Sequence, residues 1–175
     1  MTGTIGLGIQ NKFPDKIDER SEIIKILAKR GKYLKLAIYA TGVIKQQYPV
    51  QQLSQILDDN TIDNTGKVMA CKALGRIGGK QSGNILKAQM ASGDIYLLLP
   101  AFYALVTMRE KCAIPLAIAA FDAPSHRKYE RSLAHALEYV TQKPFGTDGN
   151  KWKDWWKHEG KTWTYAQDHI LDIDD

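Results

Sequence analysis

The sequence predicts an all-α fold: an α-solenoid of about four stacked helix pairs, closed by a tryptophan-rich cap. Three observations predict it. A short apolar phrase recurs four times, as Ala40-Thr41…Ile44, Ala73-Leu74…Ile77, Ala104-Leu105…Met108 and Ala136-Leu137…Val140. Its alanines are 33, 31 and 32 residues apart, and Ala37, Ala70, Ala101 and Leu133 stand three positions before them. Positions −3, 0, +1 and +4 lie on one stripe of a helix, and Thr41 is the only polar residue among them. A period near thirty marks an array in which no helix pair can bury its own apolar face and each must lean on the next.

The elements follow in order. Residues 1–16 read as a flexible lead-in ending near Pro14, and Asp15 or Asp18 can cap a first helix over about 18–30. Ile23, Ile24, Ile26 and Leu27 form its inner stripe, and Gly31 stops it. A second helix over 33–47 carries the first anchor. Pro49 opens a third over 50–57, with Leu53, Ile56 and Leu57 inside. Helix 65–77 bears the second anchor and ends at Gly78-Gly79. Helices 81–91 and 94–110 make the third pair, and Pro100 predicts a kink or a late start in the latter. Helices 113–122 and 125–142 make the fourth, with Ser125 as a natural cap. After the turn at Phe145–Asn150, Trp152, Trp155 and Trp156 recur at helical spacing and Trp163 follows Gly160. The last layer of an array exposes a raw apolar face, and three tryptophans on one short helix cover it with few residues. The domain is thus expected over 17–163, with an acidic tail over 164–175.

Composition narrows the classes of function. The chain has 175 residues, 44% apolar and 25% charged, which suits one globular domain and argues against global disorder. Net charge is +5, of which residues 1–50 contribute +5, each middle fifty +1 and residues 151–175 −2. No run of five cations occurs, so this excess reads as a solvated helix face rather than a nucleic-acid patch. The longest apolar run, Ile95 to Val106, is broken by Pro100 and too short to span a bilayer. The first eight residues lack the basic and apolar parts of a signal peptide, so a cytoplasmic location is expected. Cys71 and Cys112 form no metal-ligand spacing and read as two reduced, packed thiols.

Three motifs carry a family resemblance. Ala73-Leu74-Gly75-Arg76-Ile77-Gly78 is similar to the "ALG.IG" second helix and turn of the short, bacterial-type HEAT repeats described as PBS-lyase HEAT-like. Ile114-Pro115-Leu116 is similar to the opening of that family's inner helix. Phe145-Gly146-Thr147-Asp148 with Trp152-Lys153-Asp154-Trp155-Trp156 resembles its "W..WW" closing segment. The resemblance covers about residues 18–160. It implies a right-handed, armadillo-like superhelix whose second helices line a concave side. It says little about activity, since the family holds scaffolds, assembly factors and a few enzymes.

Motifs for chemistry are missing. Gly79-Lys80 lacks a phosphate loop's earlier glycine, because Leu74 stands there, and Gln81 replaces its Ser/Thr. Gly6-Leu7-Gly8 lacks the third glycine of a dinucleotide fingerprint, since Asn11 takes that place. His126, His135, His158 and His169 form no HExxH, and the single His158-Glu159 falls short of the several His-Glu pairs of di-iron HEAT hydroxylases. No catalysis, cofactor or metal is expected.

An interaction surface remains. Opposite the apolar stripe lie positions −5, −1, +2 and +6 relative to each anchor. The −1 column reads Tyr39, Lys72, Tyr103 and His135, and the −5 column Lys35, Val68, Leu99 and Arg131. In the third repeat Leu99, Tyr103 and Val106 are apolar where solvent is expected, which points to a protein or peptide partner, with Lys72 and Arg76 as the polar rim. A register error of one position would instead put Leu99 and Val106 in the core. The alternative partner is a nucleic acid or other polyanion held by Lys35, Lys72, Arg76 and Arg131.

Overall fold

The computed structural model describes residues 19–166, so the expected lead-in, its Asp15 and Asp18 caps and the tail beyond Ala166 lie outside the described residues. Within that span every regular element is helical. The helices are α1 (Glu19–Lys29), α2 (Leu34–Ile44), α3 (Val50–Asp58), α4 (Asn64–Ile77), α5 (Gly79–Ala91), α6 (Ile95–Thr107), α7 (Ala113–Ala119), α8 (Glu130–Thr141) and α9 (Gly149–Glu159). No helix here is long and apolar enough to cross a membrane.

Local chemistry sets the boundaries. Asp63 caps α4 by accepting from the Gly66 N–H at 2.8 Å, and Asp94 caps α6 by accepting from the Tyr96 N–H at 2.9 Å. Gly78, at φ 69°, ends α4 and turns the chain directly into α5. Two expectations need correction. Of the kink or late start expected at Pro100, the late start does not occur, since α6 begins at Ile95 and holds Pro100 inside it. Ser125 does not cap α8, because Pro124–Tyr129 forms a 3-10 turn that delays that helix to Glu130. Pro124 at the first position of this turn, and a tight bond from the His126 N–H to the Ala123 carbonyl, account for it.

The helices pack in two rows. In one, α1 meets α3, α3 meets α5, α5 meets α7 and α7 meets α9; in the other, α2 packs broadly on α4 and α4 on α6. The second row is held by glycines two positions after the anchors. A Cβ on Gly42 would stand 3.1 Å from the Cα of Ala73, and one on Gly75 would stand 3.0 Å from the Cα of Ala104. Ala73 and Ala104 therefore rest on the bare backbone of the preceding helix. At the same register α6 carries Val106, whose side chain keeps backbones apart, and α8 touches α6 only lightly. The 3-10 turn reaches α6 instead, with Tyr129 edge-on to Tyr96.

One continuous core runs between the rows, from Leu27 to Trp155. All the −3 residues are buried, as are Ala73, Ala104 and Ala136. Thr41 is buried too, its hydroxyl donating to the Ile38 carbonyl at 2.7 Å. Ala40 is half-buried and Ile44 exposed, because among the described residues no helix precedes α2 on that side. Side chains tie the layers: Gln47 donates to the carbonyls of Ile77 and Gly78, and Lys87 pairs with Glu110 at 3.2 Å.

The cap forms as a ring cluster. Trp152 is fully buried, with its Nε1–H donating to the Gly146 carbonyl at 2.8 Å. Phe145 meets Trp152 edge-on at 5.0 Å, Trp152 meets Trp155 at 6.0 Å, and Trp163 meets Tyr165 at 4.8 Å. Tyr165 also donates to the Glu110 carbonyl at 2.9 Å, so packing continues past Trp163.

The glycine contacts predict opposite outcomes for one substitution. Gly83→Ala, inside α5 and facing the flexible ends of Met108 at 3.4 Å and Glu110 at 3.7 Å, should raise unfolding free energy by about 0.5–1 kcal/mol through helix propensity. Gly75→Ala gains the same propensity yet meets backbone, and should lower stability by about 1 kcal/mol net. Urea denaturation of both variants checks this.

Candidate protein-interaction face

The surface left open by the second row is set by its own stacking. Along α2, α4 and α6 an anchor faces the helix before it (Ala73, Ala104) and a +2 position the helix after it (Gly42, Gly75). At about 100° per residue these contacts lie some 200° apart, with the core between them on one side. The open side must then centre on positions −1 and +3, and that is where exposure falls. The −1 column is Tyr39, Lys72, Tyr103 and His135; the +3 column is Val43, Arg76, Thr107 and Tyr139.

This corrects the expected face. The −1 column stands as read from the sequence. The +2 column does not, because Gly42 and Gly75 are buried in helix contacts and Val106, 6% exposed, belongs to the core. Leu99 and Tyr103 are half-buried and pack on the core with one edge free. Lys35 and Arg131 are exposed at the margin, Lys35 paired with Asp63 at 2.7 Å. Lys72 and Arg76 are half-buried near the middle, and His135 is exposed on α8.

Sequence reasoning missed Leu36, Val43 and Tyr139. Leu36 and Val43 are 65% and 56% exposed, Tyr39 between them 54%, and Tyr139 43%. Their +3 and −4 registers carried the signal, but glycine at +2 has no hydropathy and hid the true width of the buried stripe.

The electrostatics of the face are one-sided. Helices α2, α4 and α6 contain no Asp or Glu, while α2 and α4 bring Lys35, Lys67, Lys72 and Arg76. The Arg76 guanidinium lies over the Tyr39 ring, 5.8 Å from its centroid. Burial, with Tyr139 nearby, pushes the Tyr103 hydroxyl above its ordinary range, so it stays a neutral hydrogen-bond donor. The face therefore offers apolar and tyrosine surface around a cationic centre.

Nucleophile chemistry is not assembled there. Burial, then the charge of Asp94, pushes the Cys71 thiol up to about 12. Cys112 is raised by burial and sits beside Glu110 at 3.6 Å. Among the described residues no group of three or more His, Cys, Asp or Glu is placed to hold a metal. Comparison with family models, curated proteins and solved structures gives no match to this chain.

Two outcomes follow. Val106→Glu should lower stability by several kcal/mol, about the cost of a buried unpaired carboxylate, whereas Val43→Glu should shift the melting temperature by only a degree or two. In thiol labelling at pH 8, half-exposed Cys112 should react slowly and Cys71 only on global unfolding, read by mass spectrometry with and without denaturant.

Proposed function

We propose that this chain is a HEAT-type α-solenoid that works without catalysis, as a protein-interaction scaffold docking a protein or peptide across the concave side formed by its second helices. The observation that carries the reading is the exposed stripe Leu36, Tyr39 and Val43, continued by Tyr103 and Tyr139 around Lys72 and Arg76. Large apolar and tyrosine side chains gain most when a partner removes them from water, and a central cation adds orientation. Two rows of helices sharing one core agree with the solenoid, and the right-handed superhelix is what the motif resemblance implies. A cytoplasmic location belongs to the same proposal.

The second reading is a polyanion site, favoured by the absence of acidic residues from α2, α4 and α6. It would use Lys35, Lys72, Arg76 and Arg131, although Lys35 already holds Asp63. Salt separates the two. A site on phosphates should lose binding steeply between about 50 and 200 mM salt, whereas apolar docking should change little.

The test is affinity capture with the unchanged chain beside Val43→Glu and Tyr139→Glu, both at exposed positions. Captured partners should fall by about tenfold or more in each variant at unchanged melting temperature, a loss on the scale of one interface anchor. Full retention by both folded variants would sink the scaffold reading.

A further inference from the structure

The first layer of the array has an open outer side. At registers −7, 0 and +4, α4 buries Gly66, Ala73 and Ile77, and at −7 and 0 α6 buries Leu97 and Ala104. On α2 the same registers are Tyr33, 59% exposed, Ala40, half-buried, and Ile44, 40% exposed. The three lie within about 40° of one another around the helix, so they form one stripe. It points where Ala73 and Ala104 point on their own helices, toward a preceding neighbour. Helix α1 is open in the same way. Its Ile23, Ile24 and Ile26 are half-buried, whereas Leu53, Ile56 and Leu57 of α3, one layer further in, are buried. The far end of the array is finished by the tryptophan helix α9, and the first layer has no equivalent among the described residues. Arrays of this kind need a polar outer side on both terminal layers to stay in solution.

The chain itself delivers material to this side. Helices α1 and α2 have eleven residues each and pack together. They are joined by residues 30–33, where the Leu34 N–H donates to the Gly31 carbonyl at 3.0 Å. So short a link makes them antiparallel neighbours. Glu19 is then level with Ile44, one helix spacing of about 8–10 Å away. Residues 1–18, outside the described residues, join the domain at that point. They hold Ile5, Leu7, Ile9 and Phe13, the first three alternating with Gly6 and Gly8, so an extended run sets those three on one side. From Ile44 back to Tyr33, α2 runs about 16 Å. Phe13 can stand up to about 20 Å from Glu19, and residues 5–13 extend a further 27 Å or so, enough to reach the stripe and follow it.

Charge separates this occupant from a second copy. Lys32 and Lys45 are exposed at the two ends of the stripe, and α2 contains no acidic residue. Two copies meeting here would bring both sets of lysines together. Within residues 1–18, Lys12 and Lys16 are balanced by Asp15 and Asp18, so these side chains add no like charge. A nucleic acid would suit the lysines and leave the apolar stripe in water.

We propose that residues 5–13 of this chain lie along α2 over Tyr33, Ala40 and Ile44, with Phe13 nearest Ile44. They finish the first layer and keep its apolar side from other molecules. The inference goes beyond the scaffold reading: it concerns the outer side of α2, centred on Ala40, and leaves Tyr39 and the rest of the −1 column to a partner.

The test is photocrosslinking of the full chain carrying Phe13→p-benzoylphenylalanine, with the product sized on a gel and its sites located by mass spectrometry. Crosslinks should join position 13 to α2 within one chain. Tyr33→Glu/Ile44→Glu, at two exposed positions, should cut their yield at least about fivefold, because seating the segment would then bury two carboxylates. Melting supplies a second readout. Leu7→Asp/Ile9→Asp should lower the melting temperature by about 3 °C or more in the unchanged chain, and by about 1 °C or less once Tyr33→Glu/Ile44→Glu is present, the non-additivity of groups in contact. No crosslink to α2, or additive melting shifts, overturns the proposal. So do crosslinks to α2 found only between two chains, since a second copy is then the occupant. None of these changes touches Leu36, Tyr39, Val43 or Tyr139, so the capture experiment on Val43→Glu and Tyr139→Glu decides the scaffold reading separately.

Discussion

The arrangement depends on bare backbone meeting a small side chain between neighbouring helices. Gly42 receives Ala73 and Gly75 receives Ala104 at separations where an added methyl group has no room. This closeness makes the second row continuous, gives the core its depth, and fixes the rotation of each helix about its own axis. Rotation then decides which side chains meet water. The exposed face is in that sense a by-product of how the row is zipped.

The same device explains where regularity ends. With Val106 at the third register α8 stands away from α6, and the 3-10 turn with Tyr129 against Tyr96 takes up the difference. The last layers are secured by other means. Trp152, Trp155 and Trp156 bury large area on a helix of only eleven residues, and Phe145 and Trp163 flank it to complete the ring cluster. Its polar edges are satisfied by the Gly146 carbonyl and the Glu159 carboxylate, the latter held below the usual carboxylate range by bonds from Lys143 and Trp155. At the other end no comparable lid appears among the described residues. Exposed large apolar side chains accordingly concentrate on α2.

Charge is distributed in keeping with this division. Acidic side chains take structural posts on the turns: Asp63 and Asp94 cap helices, Asp59 pairs with Arg30, and Glu110 pairs with Lys87. Helices α2 and α4 carry cations and no acidic residue, and α6 carries no charged residue. The exposed surface of these helices thus combines tyrosines, aliphatic side chains and positive charge.

The sequence by itself determined the helices, their order, the four −3 residues and the tryptophan cap, because apolar periodicity and turn residues act locally and need no neighbour to be read. It also determined the −1 column of the face. What only the tertiary structure decided was which flank of that column is open. Glycine at +2 contributes nothing to a hydropathy stripe, yet it draws the next helix into contact. Val106 is thereby enclosed, while Leu36, Val43 and Tyr139 are turned outward. The delay of α8 to Glu130 was likewise settled by packing, as the turn before it fills the space where no glycine lets two helices close.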